Sequence, residues 1–79
     1  MNAFIELVVR RLVDRPDEVS IQESTRNGLR IFELRLNPAD VGRVIGRNGL
    51  TIGAIRSLMS ASAAMRGERC SLEIIEASR

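Results

Sequence analysis

The most informative segment of this chain reads Val44-Ile45-Gly46-Arg47-Asn48-Gly49, in which two glycines stand three positions apart. We call residues 46–49 the GxxG loop. Glycine adopts left-handed and extended conformations without steric penalty, so the segment predicts a tight junction between two helices. The missing side chains also let another molecule approach the main chain, close to the free N–H groups at the start of the following helix. Such a glycine pair is a weak signal alone, and its meaning depends on the flanking sequence.

Helices are predicted on both sides of the GxxG loop. Asn37-Pro38-Ala39-Asp40 is a typical helix start, in which asparagine is the cap, proline fills the first helical position and aspartate lies near the positive end of the dipole. This helix is short, because Gly46 follows soon after it begins. A longer helix is predicted over about residues 49–66, and Gly67 is placed for a left-handed C-terminal cap.

Three strands are predicted from the alternation of apolar and polar side chains. Residues 18–25 and 29–36 flank Asn27-Gly28, the commonest two-residue hairpin turn. If the residues on either side of this turn pair with each other, one face of the hairpin is mostly apolar and the other mostly polar. The predicted register is therefore self-consistent. A third strand is predicted over residues 70–76.

A first helix is predicted from Asn2 to about Asp14, with Pro16 ending it. The element order is then helix-strand-strand-helix-helix-strand, which is an α+β fold. The two-helix crossover makes the third strand parallel to the second, so a three-stranded mixed sheet with the second strand in the middle is expected. We expect all three helices to cover one face of this sheet, the face with the apolar residues Ile21, Phe32, Leu34, Leu36, Leu72 and Ile74.

The composition excludes several classes of function. The 79 residues are enough for one domain, residues 1–79, with a thin core. The chain has no histidine and a single cysteine, Cys70, so neither an intrachain disulfide nor a structural zinc site is expected. We also find no convincing serine–lysine or paired-carboxylate arrangement. We therefore expect no enzyme, no catalytic residues, no metal, no cofactor and no small-molecule substrate.

Nothing in the sequence predicts export or membrane insertion. The first six residues lack the basic region and the uninterrupted apolar run of a signal peptide. No apolar stretch approaches the roughly 18 residues that a membrane-spanning helix needs. We expect a cytoplasmic protein without membrane association.

The positive charge is concentrated in one part of the chain. Residues 41–66 contain four arginines and no acid, which gives +4. Residues 1–40 have six arginines against seven acids, and residues 67–79 have two against three, so each carries −1. A polyanion would be attracted to the central part.

The segment Val44–Ile52 resembles the signature of KH domains, in which an apolar pair precedes GxxG and a further apolar residue follows it. The element order resembles the type II, prokaryotic arrangement of that fold. Over nearly its entire length the chain resembles the small bacterial single-KH proteins of the KhpA family, including residues 40–46 and 54–56 next to the loop. Family members often have lysine inside the loop, where this chain has Arg47-Asn48.

The resemblance implies binding of single-stranded RNA, with about four nucleotides in the groove and tolerance of sequence. It also implies a homodimer, or a heterodimer with a longer Jag-type KH protein, KhpB. A role as RNA chaperone or post-transcriptional regulator would follow from these properties.

The candidate RNA-binding residues surround the loop. Arg47 supplies charge, Asn48 supplies hydrogen bonds, and four apolar side chains are expected to form a floor for bases. Arg43 and Arg56 lie about one turn outside the loop. Their side chains either contact phosphate or are simply solvated, and the sequence favours neither alternative. The complete set is Arg43, Val44, Ile45, Gly46, Arg47, Asn48, Gly49, Leu50, Ile52 and Arg56.

Two other functions compete with RNA binding. A helix-turn-helix DNA binder would use residues 50–66 as its recognition helix. The start of that helix, however, has only Thr51 as a polar side chain that could contact base edges. The alternative is a protein-interaction or dimerisation module with an inactive loop, which the apolar second half of the same helix favours. The sequence does not separate this module from an RNA-binding protein.

Overall fold

Helix α1 spans Asn2–Leu12 in the computed structural model, which describes residues 1–76. It is two residues shorter than predicted, since Val13 is already extended. Pro16 does not end this helix but begins a short 3₁₀ turn, Pro16–Glu18. Glu18, the first residue of the predicted strand 18–25, belongs to this turn, and the strand therefore begins later than expected.

Strands β1 (Ser20–Arg26) and β2 (Leu29–Leu36) form the predicted antiparallel hairpin. The ladder runs from Arg26 opposite Leu29 to Ser20 opposite Arg35, which confirms the predicted register. The turn residues Asn27 and Gly28 both have positive φ, 54° and 78°. Apolar side chains at alternate positions fix this register, because a slip by one residue would expose them.

Strand β3 spans Arg69–Glu76 and pairs with β2 in parallel, as the two-helix crossover predicted. The strand order is β1-β2-β3, so β1 and β3 are the edge strands of the sheet. Strand β3 therefore has one edge that no other described strand covers. The longest helix, which precedes β3 in the chain, contacts this strand.

The core lies between the sheet and the helices. It contains most of the residues that the sequence placed there, although Ile21 and Ile74, on the outer strands, are only half-buried. None of the helices in residues 1–76 is long and apolar enough to span a bilayer. The buried core residues are Ile5, Val9, Val19, Phe32, Leu34, Leu36, Val44, Ile52, Ile55, Met59 and Leu72.

Asp40 is the buried charged side chain of this core, with no exposed surface. Its Oδ1 accepts a hydrogen bond from the Asp14 N–H at 3.2 Å, and its Oδ2 accepts one from the Arg15 N–H at 3.1 Å. The Arg15 guanidinium lies 3.6 Å from the same carboxylate. The sequence predicts that Asp40 lies near the positive end of a helix dipole. Its side chain, however, makes no capping hydrogen bond. Instead it joins the segment that follows α1 to the start of the next helix.

A second ionic cluster lies at the hairpin end of the sheet. Arg30 donates to Glu23 at 2.6 Å and to Glu68 at 3.0 Å, and its guanidinium stacks on the Phe32 ring. The hydrogen bond from Arg30 lowers the pKa of Glu23 below its usual value, and both carboxylates raise the pKa of Arg30. This arginine is thereby neutralised by partners within its own sheet and the segment before β3.

Candidate functional site

The helix before the GxxG loop, α2, spans only Val41–Ile45. It follows a 3₁₀ turn, Pro38–Asp40, at whose start the Asn37 side chain accepts a hydrogen bond from the Ala39 N–H at 2.8 Å, as the predicted cap. A helix this short is not stable alone in water. Its position depends on the buried side chains of Asp40 and Val44.

The GxxG loop reverses the chain between α2 and the next helix. Gly46 has φ 76° and ψ 174°, a region essentially restricted to glycine. A Cβ atom there would lie 2.7 Å from the Thr51 Cβ. Asn48 and Gly49 are both left-handed, with φ 56° and 73°, and a Cβ at Gly49 would meet no other atom within 4 Å. The junction therefore requires glycine most strongly at Gly46.

Helix α3 spans Leu50–Met65 and begins directly at the GxxG loop. Its N-cap is Gly49, so no side chain accepts from the N–H groups of its first turn. Within the loop, the Gly49 N–H donates to the Gly46 carbonyl at 3.1 Å. The positive end of the helix dipole and its uncapped N–H groups together make this a favourable position for an anion.

The arginines of the site have different partners. Arg47 and Asn48 are exposed, and Arg47 has no carboxylate at ion-pairing distance among the described residues. Arg43 lies 2.9 Å from the Asp14 carboxylate and 3.9 Å from that of Asp40. Arg43 thus has acidic neighbours that Arg47 lacks, but Arg43 and Asp14 are 55% and 62% exposed, and such an ion pair is weak.

The apolar residues around the loop divide into two groups. Val44 is fully buried and Ile52 is 6% exposed, so both belong to the core. Ile45 and Leu50 are 37% and 71% exposed. The prediction that all four form a floor for bases is therefore wrong for Val44 and Ile52, which support the loop from inside.

Arg56 lies on α3 and points toward the edge strand. Its guanidinium donates to the Leu72 carbonyl at 3.0 Å, across a cleft between α3 and β3. The sequence placed Arg56 near the loop but did not identify β3 as the other wall of the site. The signal was available, because the parallel crossover puts the third strand next to the long helix that precedes it.

The GxxG loop joins the short helix α2 to the long helix α3. Together with α1, these helices pack on one face of the mixed three-stranded sheet. This is the architecture of a type II KH domain. The family model described as "KhpA/KhpB, KH domain" matches residues 2–74, and the chain belongs to this family.

Curated relatives cover nearly the whole chain. An "RNA-binding protein KhpA" from Treponema pallidum is 47% identical over 73 residues, which are 92% of this chain and 91% of the relative. One from Chlamydia pneumoniae is 42% identical over 76 residues, 96% and 97% of the two chains. One from Clostridium acetobutylicum is 40% identical over 75 residues, 95% and 100% of the two chains.

Proposed function

We propose that this chain is a single KH domain that binds single-stranded RNA and has no catalytic activity. The main observation in favour is the GxxG loop at the uncapped start of α3, in which Arg47 and Asn48 are exposed and Arg47 is unpaired among the described residues. The name of the relatives, RNA-binding protein, supports the same class of ligand. A helix-turn-helix role is less well supported, because Ile52 in the first turn of α3 is buried.

In the proposed complex the loop holds the phosphate backbone. Main-chain N–H groups at the start of α3 and the Arg47 guanidinium contact phosphate oxygens, and Asn48 adds hydrogen bonds. Gly46 and Gly49 let the strand approach the main chain. Ile45 and Leu50 offer exposed apolar contacts, and Arg56 extends the site toward β3.

The salt dependence of RNA binding tests this function. Two or three phosphate contacts on a single strand should give a log–log slope of affinity against salt of about −1.4 to −2.1. Fluorescence anisotropy with a labelled eight-nucleotide RNA at several salt concentrations measures the slope. A flat response, or no binding at low salt, would favour the protein-interaction module with an inactive loop.

We further propose that the chain forms a homodimer through an apolar groove between α1 and α3. None of the residues in this groove of about 430 Å³ is charged, and Leu58 on its rim is 58% exposed. Arg56 is the charged residue of α3, and it lies on the other side, in the cleft with β3. An uncharged surface suits an isologous contact, in which each copy presents the same apolar patch. The groove residues are Phe4, Val8, Leu12, Leu50, Thr51, Ala54, Ile55 and Leu58.

Leu58→Arg should convert this dimer into a monomer, because two arginines would meet at the contact. Sedimentation equilibrium at tens of micromolar gives the mass of each species. Leu7→Arg is a matched control, since Leu7 is 56% exposed but lies outside the groove. A monomeric wild-type chain would contradict the homodimer and leave a longer Jag-type KH protein, KhpB, as the expected partner.

The proposed biological role is that of an RNA chaperone or post-transcriptional regulator in the cytoplasm. A site that holds a few nucleotides mainly by their backbone binds many sequences and releases them readily. Strong base stacking is not expected here, because the chain has only two aromatic residues: Phe32 is fully buried, and Phe4 lies on α1 in the groove proposed for the dimer. These properties suit transient contact with many transcripts.

A further inference from the structure

The three-stranded sheet has two different faces. In the central strand β2, Phe32, Leu34 and Leu36 are fully buried, and these side chains point toward the helices. The side chains at the alternate positions of β2 are half-buried or exposed. Successive side chains of a β-strand point to opposite faces, so these positions belong to the face away from the helices. We call this the open face of the sheet.

Two arginines lie at the hairpin end of the open face. Arg26 of β1 and Arg69 of β3 are both paired with Leu29 of β2, so the three side chains form one row across the sheet. Neighbouring β-strands are about 4.8 Å apart, which puts the Cα atoms of the two arginines on the order of 10 Å apart. Both arginines are exposed, and neither has a carboxylate at ion-pairing distance within residues 1–76.

The hairpin turn holds Arg69 in place. Its guanidinium donates from Nη2 to the Asn27 carbonyl at 3.3 Å, which links the start of β3 to the turn between β1 and β2. A guanidinium carries five N–H donors and no acceptor, so its remaining donors are directed to solvent or to a ligand. Because the side chain is already positioned, it loses less conformational entropy when it contacts an anion.

The next row of the open face has polar ends and an apolar centre. Ser24 of β1 and Ser71 of β3 are both paired with Ile31 of β2. Hydroxyl groups donate hydrogen bonds to phosphate oxygens, as arginine does. Ile31 and Leu29 are half-buried and form an apolar strip between the two polar sides. A polynucleotide matches this surface, because it combines repeated anionic groups with the apolar faces of its bases.

The arginine row is not neutralised by acids. Glu23 and Glu68, the acids nearest to the row in sequence, both accept from Arg30. Glu33 and Glu73 lie on the open face and are paired with each other in the third row. That row is four residues from the arginines along each β-strand, about 13 Å away, whereas the Debye length at physiological ionic strength is about 8 Å. The hairpin end therefore keeps a local positive charge.

We propose that the hairpin end of the open face binds the backbone of a second RNA strand while the GxxG loop holds the first. The inference rests on the proposed RNA binding and adds a second site to it. The loop lies among the helices, on the other side of the sheet, so the two sites do not overlap. Two arginines and two hydroxyl groups bind the second strand more weakly than the loop binds the first. One chain then brings two RNA strands together, which accelerates their pairing.

Capture of a second strand tests this inference. Biotinylated eight-nucleotide oligouridine is immobilised and saturated with the Leu58→Arg chain at low salt, and labelled oligouridine is then added. The Leu58→Arg background is used at a concentration where sedimentation shows a monomer, so that the loop of a second copy does not cause the capture. The labelled strand should be retained on the surface. If the chain binds the immobilised RNA but retains no labelled strand, the inference is overturned; if the chain does not bind the immobilised RNA, the proposed function itself fails.

The paired variant Arg26→Gln with Arg69→Gln, in the same background, locates the second site. Capture of the labelled strand should fall roughly tenfold or more, while affinity for the immobilised strand stays within about twofold, because the loop is intact. Arg10→Gln with Arg11→Gln, on exposed positions of α1, removes the same charge elsewhere and should keep full capture. Equal losses in the two pairs, or full capture by the sheet variant, would overturn the inference. Thermal unfolding of each variant confirms that the fold is retained.

Competition separates RNA from an acidic polypeptide as the ligand of the open face. Unlabelled oligouridine should release the captured strand at a concentration roughly tenfold or more below that of an oligoglutamate peptide of the same length, because the peptide lacks bases that cover the apolar strip. Release by the peptide at the same concentration as by RNA would overturn the assignment to RNA.

Discussion

Replacement of both Arg47 and Asn48 by aspartate is expected to abolish RNA binding, with a loss of roughly 100-fold or more in affinity. The change removes the Arg47 guanidinium, which has no carboxylate of residues 1–76 at ion-pairing distance, and places two carboxylates where the phosphate would lie. Their negative charge also opposes an anion at the positive end of helix α3. The fold should survive, because both side chains are exposed and aspartate tolerates the left-handed conformation of position 48 almost as well as asparagine does.

The measurement is fluorescence anisotropy with an eight-nucleotide RNA, alongside circular dichroism to confirm the fold. The double variant changes the net charge by −3, so the control must do the same. Arg11→Glu with Ala3→Glu, on exposed positions of helix α1, has this effect far from the loop in sequence. Retention of wild-type affinity by the loop variant, or equal losses in both variants, would refute phosphate binding at the loop.

Gly46→Ala is expected to destabilise the protein by about 4 kcal/mol, whereas Gly49→Ala should cost only about 1 kcal/mol. Alanine at position 46 must adopt a backbone conformation reserved for glycine, and its Cβ would lie 2.7 Å from the Thr51 Cβ. At position 49 the penalty is that of a left-handed alanine in open space. A small domain has only about 4–12 kcal/mol of stability to lose.

Urea unfolding followed by circular dichroism compares the two glycine variants directly. If Gly46→Ala is too unstable to give a folded baseline while Gly49→Ala unfolds cooperatively, the order of the two effects is still established. Equal losses at the two positions would show that Thr51 does not restrict the loop as the geometry indicates. RNA binding by folded Gly49→Ala then reports how closely the strand must approach the main chain.

The fold was predictable because its main features follow from local sequence patterns. Alternating side chains and the Asn27-Gly28 turn specify the hairpin register, and the length of the crossover between β2 and β3 specifies a parallel pair. The position of the GxxG loop followed from a helix start before it and a long helix after it. These signals lie within a few residues of the elements that they determine.

The side-chain environments of the site were harder to predict, since they depend on contacts distant in sequence. Asp40 binds Asp14 and Arg15, 26 and 25 residues away, and Arg43 pairs with the same region. The charge count along the sequence includes Arg43 in the positive region around the loop. In the structure its guanidinium pairs with Asp14, which follows the end of α1. Likewise, a five-residue helix gives too little periodicity to tell that Val44 faces inward.

The way in which Asp40 holds the α1–β1 connection limits how that connection can vary. Its carboxylate accepts from the main-chain N–H groups of Asp14 and Arg15, and nearly any residue supplies the same donors. Point substitutions in this stretch should therefore be tolerated far better than changes in its length. An inserted or deleted residue would shift the donors away from the carboxylate, and the disturbance would pass through α2 to the GxxG loop.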